Sequence, residues 1–337
     1  MSWKGKSVLV TGANGFVGSW VAKALVDRGA DVVAIIRDMH PKYQPAYQEE
    51  TMEGLAGQVK GDITVYEEVA RVFNEYSVET CFHLAAQAIV GAANRAPLST
   101  FETNIKGTWN VLEAARSTGT LKGLVVASSD KAYGEHERLP YTEEFPLNGL
   151  NPYDASKACA DILARAYAQT YELPVAVARC ANIYGGGDMN FSRIVPDTVR
   201  SLLQGREPVI RSDGKPVRDY MYVEDAVSAY LVLAEKIDKA KGGAFNFGTN
   251  KPVTVLELVE KIIALSGAKV RPVIQGKGKS RGEIQRQYLS SEKARRLLGW
   301  TPRYTLEEGL KATIEWYREY LSDRRGSSRS ATTSTPA

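Results

Sequence analysis

The sequence predicts an α/β fold: a doubly wound parallel sheet with a smaller mixed α/β lobe built from the C-terminal part of the chain. Three observations carry this. From Ser7 onward short apolar runs alternate with helix-length stretches, and the first run meets the first helix through a glycine-rich turn. After Asn182 the rhythm breaks into shorter pieces. Strands alternating with helices argue for parallel strands covered on both faces, because each parallel crossover needs a helix's length of chain.

The first run, Ser7–Val10, is short and apolar. Phe16–Arg28 has helical periodicity and stops at Gly29. Asp31–Ile36, Thr80–Leu84 and Leu124–Ser128 are apolar runs of the kind found in strands buried on both faces. Between them Val65–Tyr76 and Thr100–Thr118 have helix length, and a further strand, Val175–Arg179, follows a helix that begins near Tyr153. Beyond Asn182 the expected strands are Pro208–Ile210, Asp219–Val223, Ala244–Phe247 and Val270–Val273. They mix with helices Val195–Gln204, Glu224–Lys236, Val255–Ser266 and Ser290–Gly299. No Ser/Gly linker divides the chain, so the second part is expected to close over the end of the sheet as a lobe.

Composition narrows the function classes. A formal charge of +4 over 337 residues, without a clustered Lys/Arg stripe, gives no reason to expect a nucleic-acid partner. Cys81, Cys159 and Cys180 are widely spaced, as reduced thiols are, and His40, His83 and His136 share no ligand spacing. No metal is expected. The strand pattern starting at Ser7 leaves no room for a signal peptide, and no apolar run reaches membrane-spanning length. The expectation is a cytoplasmic protein without membrane contact.

The turn Thr11-Gly12-Ala13-Asn14-Gly15-Phe16-Val17-Gly18 lies between the first strand and the first helix. Glycines serve there for a tight turn, for close backbone approach to a pyrophosphate, and for close packing of helix on sheet. The helix N-terminus then offers free N–H groups and partial positive charge to the phosphates. Glycines also serve ordinary turns, but this position favours a dinucleotide held by Gly12, Asn14, Gly15, Phe16, Val17 and Gly18, on a Rossmann-type sheet. The residue that reads the adenosine ribose is expected about 20 residues on. An acid there suits NAD, and an Arg suits the extra phosphate of NADP. The chain offers Ile36-Arg37-Asp38, so NAD is favoured slightly and NADP stays open. Asp62, followed by Ile63, ends the third strand, where an Asp can accept from the adenine amino group. On this reading residues 1–182, with parts of 215–250, form the dinucleotide-binding unit, and 183–323 mainly form the substrate-binding lobe. Residues 324–337, basic and then rich in Ser and Thr, are expected to be a disordered tail.

Tyr153 and Lys157 stand four apart, on one face of a helix. A phenol with a pKa near ~10 is a poor base at neutral pH. A nearby ammonium and a positive nicotinamide ring would lower it. Such a pair also arises by chance on surfaces. Here it is joined by Ala127-Ser128-Ser129-Asp130-Lys131-Ala132-Tyr133-Gly134, which ends the preceding strand, and an open sheet places its active site at strand carboxyl ends.

With these residues the chain resembles the extended short-chain dehydrogenases/reductases, over about residues 5 to 320. The resemblance extends to His83-Leu84-Ala85-Ala86-Gln87, Asn104 in Thr103–Thr108, Arg179–Gly185, Val217-Arg218-Asp219-Tyr220 with Val223-Glu224-Asp225, and Phe245-Asn246-Phe247-Gly248. It implies that Leu84, Ala85, Ala86, Gln87, Asn104 and Ser128 also serve the cofactor, with Tyr153 and Lys157. Within the family, Ser129-Asp130-Lys131 is most similar to the Asp-Lys segment of CDP-glucose 4,6-dehydratases, with Ser129 in place of their Thr.

The resemblance implies a three-step reaction. Tyr153 takes the proton of the sugar 4-hydroxyl as C4 gives up a hydride, with Lys157 holding ribose and phenol and Ser129 bonding the 4-oxygen. Water is then eliminated across C5 and C6, Asp130 protonating the departing 6-hydroxyl. Lys131 is either the C5 base, which requires a depressed pKa, or an electrostatic stabiliser of the enolate. Hydride return to C6 ends the cycle. The resemblance also assigns the substrate phosphates to Asn182, Arg218 and Arg281, the base pocket to the Asn190–Pro196 stretch with Ser192 and Arg193, and sugar contacts to Gln87 and Ser129. A GDP-mannose or UDP-sugar dehydratase, a sugar 4-epimerase and a non-catalytic dinucleotide sensor are the competing readings. The sensor is disfavoured because the Tyr, Lys and Ser-Asp positions are intact. A homodimer packed through Thr100–Thr118 and Tyr153–Thr170 is implied as well.

Overall fold

The computed structural model describes residues 2–38, 51–276 and 284–330. Its centre is a sheet of seven strands: β1 (Ser7–Thr11), β2 (Asp31–Ile36), β3 (Gly57–Lys60), β4 (Thr80–His83), β5 (Gly123–Ser129), β6 (Val175–Cys180) and β7 (Ala244–Phe247). Their order is β7-β6-β5-β4-β1-β2-β3, and every pairing is parallel. β1 pairs with both β2 and β4, so the winding reverses between them and a crevice opens at their carboxyl ends.

The larger helices are α1 (Phe16–Val26), α2 (Tyr66–Glu75), α3 (Gly107–Thr118), α4 (Pro152–Tyr171), α5 (Ile194–Leu203), α6 (Val223–Glu235), α7 (Val255–Ser266), α8 (Glu292–Leu298) and α9 (Leu306–Ser330). The period-two alternation of the strands splits the core between the two faces. Val8, Val10, Val32, Ala34, Phe82 and Val125 pack with Val21 and Leu25 of α1 and Leu233 of α6. Leu9, Val33, Ile35, Cys81, Leu124 and Val126 pack on the other face with Val72 of α2, Val111 and Leu112 of α3, and Ala164 of α4. Both faces are covered, which is why these strands read as continuous apolar runs.

The lobe has its own core of Tyr184, Val195, Val199, Tyr222, Leu258, Ile262, Leu310 and Tyr317. Small strand pairs tie it together: Asn182–Tyr184 with Tyr220–Tyr222, and Val209–Ile210 with Val273–Ile274, both parallel.

Ala244–Phe247, within the 215–250 stretch expected to contribute to the dinucleotide-binding unit, is the edge strand of the main sheet, held by β6. Two elements differ from expectation. The helix expected over Thr100–Thr118 is broken into Pro97–Phe101, a wide π turn at Glu102–Lys106, and α3. Asn104 lies in that turn and is tied through its side chain to Gln87 and Ser156, so the extra residue sets its register. Finally, α9 runs to Ser330, through the start of the expected tail; once a helix is nucleated, each added residue gains a bond. Residues 331–337 lie outside the described part of the chain.

Candidate active site

A cleft of about 860 Å³ lies over the carboxyl ends of β1, β2, β4 and β5 and under the lobe. The expected cofactor residues Gly12, Asn14, Gly15, Phe16, Val17, Gly18, Arg37, Asp62, Ile63, Leu84, Ala85, Ala86, Gln87 and Ser128 line it. So do Ser129, Asp130, Lys131, Tyr153, Lys157, Asn182, Ser192, Arg193 and Arg218. Arg281 lies outside the described residues. Asn104 stands behind the wall: its Oδ1 accepts from Gln87 N at 2.7 Å and its Nδ2 donates to Gln87 O at 3.1 Å, so it shapes the wall through Gln87.

At the glycine turn, Gly12 has φ +74°, and a Cβ there would stand 2.8 Å from the backbone of Ala85. A Cβ on Gly18 would come within 2.0 Å of the Gly12 carbonyl. These contacts press α1 against the strand ends. Gly15, the N-cap of α1, supplies no side-chain cap, and the first turn holds no acid. The helix therefore offers N–H groups and its positive end to the cleft, a cradle that fits a pyrophosphate. Beside it Asn14 Nδ2 donates to Asp38 O at 2.8 Å, and Arg37 Nε donates to Asp38 Oδ2 at 2.7 Å.

Beneath the turn runs a buried chain with one consistent proton arrangement. Thr108 Oγ1 donates to Asn104 O at 2.6 Å and so accepts from His83 Nε2 at 3.0 Å. His83 Nδ1 is then left to accept from Thr11 Oγ1 at 2.8 Å, while Thr11 Oγ1 takes the N–H groups of Leu84 and Ala85 at 3.2 Å each. Burial, with Lys157 adding to it, pushes His83 down to about 3, so the ring is neutral.

At the other side of the cleft, β5 ends in Ser129 and passes into a single tight turn, Asp130–Tyr133, capped by Ser129 Oγ accepting from Lys131 N at 3.2 Å. Ser129 Oγ donates to Asp130 Oδ1 at 3.1 Å, and Asp130 Oδ2 is buried with no partner among the described residues. Burial raises the Asp130 carboxyl, against the pull of Lys131, Ser129 and Arg218. A shift in that direction lets a carboxyl keep its proton to higher pH, as a proton donor must. Lys157 Nζ donates to Ala127 O at 2.8 Å, and burial brings it down to about 8. Tyr153 departs from expectation. Instead of being lowered by Lys157, it is pushed up to about 12, because burial outweighs Arg193 and the bond with Ser129. The protein alone thus holds the phenol protonated.

The residues expected on the substrate side bond other groups of the protein. Arg218 donates to Val217 O at 2.8 Å, Gln285 O at 3.3 Å and Ile284 O at 2.5 Å. Arg193 pairs with the buried Asp188 at 3.1 Å, Asn182 Nδ2 donates to Asp219 O at 3.2 Å, and Ser192 Oγ donates to Asn190 Oδ1 at 2.7 Å.

Comparison with known proteins agrees with this geometry. The family model described as GDP-mannose 4,6 dehydratase matches residues 9–313. The chain belongs to that family. A CDP-glucose 4,6-dehydratase of Salmonella typhimurium is 31% identical over 335 residues, covering 95% of this chain and 92% of that protein. The structure of a dTDP-glucose 4,6-dehydratase from Bacillus anthracis in complex with NAD superposes with TM-score 0.82 at 31% identity, over 93% of this chain and 97% of that one. A UDP-glucose 4-epimerase of Thermotoga maritima with UDP-glucose gives 0.85 at 32%, over 94% and 99%. The chain is therefore an enzyme of the extended short-chain dehydrogenase/reductase type, on the nucleotide-sugar dehydratase branch. Among the described residues, no helix is long and apolar enough to cross a membrane.

For a member of this family, sequence reasoning missed four residues around the cleft. Thr11 and His83 were quoted in motifs without a role, although their polar character inside apolar strands was a signal. Asp154, next to Tyr153, is buried, with Oδ1 lacking a partner among the described residues. Gln287 is fully buried and bonds both Asp130 O and Lys131 Nζ. Nothing in the sequence pointed to it.

Proposed function

We propose that this enzyme is an NAD-dependent nucleotide-sugar 4,6-dehydratase acting on CDP-glucose, working as a homodimer in the cytoplasm. The observation that carries the reaction type is Asp130: a buried carboxyl with one unpartnered oxygen, beside Lys131, in the cleft that holds Ser129, Tyr153 and Lys157. A 4-epimerase needs no such acid, because it breaks no C6–oxygen bond and releases no water.

Bound NAD supplies the hydride acceptor for C4 and later the donor for C6. Tyr153 accepts the 4-hydroxyl proton, assisted by Lys157 and by the positive charge that the loaded site brings. Ser129 bonds the 4-oxygen and orders the phenol. Once C4 is a ketone, the C5 hydrogen is acidic and leaves toward Lys131, while Asp130 protonates the departing 6-hydroxyl. Lys131 returns its proton to C5, and the O4 proton taken by Tyr153 passes through Ser129, which bonds both groups, to replace the one Asp130 gave to the leaving water, so the protein ends each cycle as it began.

NAD is supported over NADP by Asp38, which occupies Arg37 at the end of β2, and by likeness to a dehydratase structure holding NAD. CDP-glucose is supported by the Ser129-Asp130-Lys131 segment and by the CDP-glucose 4,6-dehydratase relative. Likeness to a UDP-glucose 4-epimerase favours epimerisation as the second reading.

Incubation with CDP-glucose, UDP-glucose, dTDP-glucose and GDP-mannose, each with NAD and with NADP, tests both. Loss of one water from CDP-glucose is expected; an unchanged mass with inverted C4 identifies the epimerase. In the same assay Asp130→Asn should slow elimination by about 10²–10⁴-fold while C4 oxidation stays measurable. Undiminished product from that variant overturns the assignment.

A further inference from the structure

Gln287 comes from a two-residue strand of the lobe and ends up beside Asp130 and Lys131. Its Nε2 donates to Asp130 O at 2.9 Å, and its Oε1 accepts from Lys131 Nζ at 3.3 Å. The orientation of the carboxamide is unambiguous: a backbone carbonyl can only accept and an ammonium can only donate, so a flipped amide loses both bonds. Its segment is held from two sides. Arg286–Gln287 pairs with Val217–Arg218, with Val217 N donating to Gln285 O at 2.8 Å. On the other side Tyr141 N donates to Tyr288 O at 3.0 Å and Ser290 N to Tyr141 O at 2.8 Å.

We propose that Gln287 is a positioning residue for elimination, a neutral ligand that holds the Lys131 amino group in place beside C5. The inference rests on the dehydratase reading. The charged groups around Lys131 explain why a neutral ligand is needed. Asp130 adjoins it in the turn, Asp154 faces it from α4, and Arg218 acts on Asp130 from the lobe. With two carboxyls within its field, a lysine on a flexible four-carbon stem would otherwise settle on one of them, and a pair with Asp130 would hold ionised the acid that must protonate the 6-hydroxyl. The amide gives the ammonium a partner without consuming either carboxyl. Gln287 also belongs to the strand whose preceding carbonyls, Ile284 and Gln285, are bound by Arg218. Placement of Lys131 therefore depends on the lobe being seated.

The test uses full-length wild type, Gln287→Leu and Gln287→Glu with CDP-glucose and NAD. Three rates are compared: C4 oxidation in a single turnover, exchange of the C5 hydrogen in deuterium oxide, and product release. In Gln287→Leu, C5 exchange and product formation should fall about 10- to 100-fold, with C4 oxidation changed by no more than about twofold. Gln287→Glu keeps the shape and offers Lys131 a carboxylate. It should recover part of the C5 exchange, with its pH–rate profile displaced to higher pH because the ammonium holds its proton longer. A fall in C4 oxidation as large as that in C5 exchange in Gln287→Leu overturns the proposal, as does a Gln287→Glu profile identical to wild type. If wild type dehydrates and Gln287→Leu exchanges C5 normally, the positioning role alone falls. If wild type releases no product short of one water, the dehydratase reading falls and takes this role with it.

Discussion

At the dinucleotide end, the groups facing the cleft come from one turn, Gly12–Gly18, and from the ends of neighbouring strands, and backbone shape decides their placement. At the sugar end the key groups are side chains brought together over long stretches of sequence, with Gln287 reaching Asp130 across 157 residues. The first kind of site is set by local sterics, so a single glycine pattern reveals it. The second depends on the lobe folding back over the sheet, and its residues gain meaning from their neighbours.

Substitutions can break this contrast in graded fashion. The largest effect is expected at the sugar end without loss of cofactor. Lys131→Met should lower turnover by about 10²–10⁴-fold while dinucleotide titration by fluorescence stays as in wild type. Weakened dinucleotide binding in that variant would mean that the two ends are not independent. The reverse case is Gly18→Ala, whose Cβ would meet the Gly12 carbonyl at 2.0 Å. Overpacking there should cost about 1–3 kcal/mol of stability and weaken dinucleotide binding roughly tenfold, read by thermal melting and by the same titration. Wild-type affinity in Gly18→Ala would show that the turn does not set the cradle.

The last effect, absent at neutral pH, concerns the buried chain beneath the turn. His83 is held at about 3 in the fold against an ordinary 6.5. Between those values the unfolded chain binds a proton that the native state refuses, so this residue's stabilisation is complete above pH 6.5 and is lost progressively as pH falls toward 3. Denaturant titrations of wild type and His83→Gln should differ in slope by about 1.4 kcal/mol per pH unit in that window. Equal slopes would show that the imidazole is protonated inside the sheet.

Much of the fold was legible because strands covered on both faces must be apolar, and the helices between them carry their own periodicity. Ala244–Phe247 was harder to place. A four-residue strand that joins a sheet edge after a long excursion looks like any other short apolar piece, and β6 alone decides where it pairs. The π turn at Glu102–Lys106 was hidden because its cause is a side chain, Asn104, bonded to the distant Gln87. In the cleft, the residue types with evident chemistry were legible as candidates and line one cavity, whereas the burial of the Tyr153 phenol was not legible. Sequence shows that a lysine is near, but it does not show how much protein surrounds the phenol.

The placement of β7 bears on how such an enzyme could acquire a new substrate. The chain leaves the sheet after β6, builds part of the lobe, and returns with α6 and β7 before building the remainder. A chain ended at Asn182 would leave β6 as an open edge and strip Leu233 and its neighbours from one face of the sheet. End-to-end joining of residues 1–182 to a foreign second part would leave the sheet without that edge strand and that cover. Exchange has to proceed through internal segments grafted between anchors the sheet keeps, with the Gln287 strand among the pieces that must be carried along.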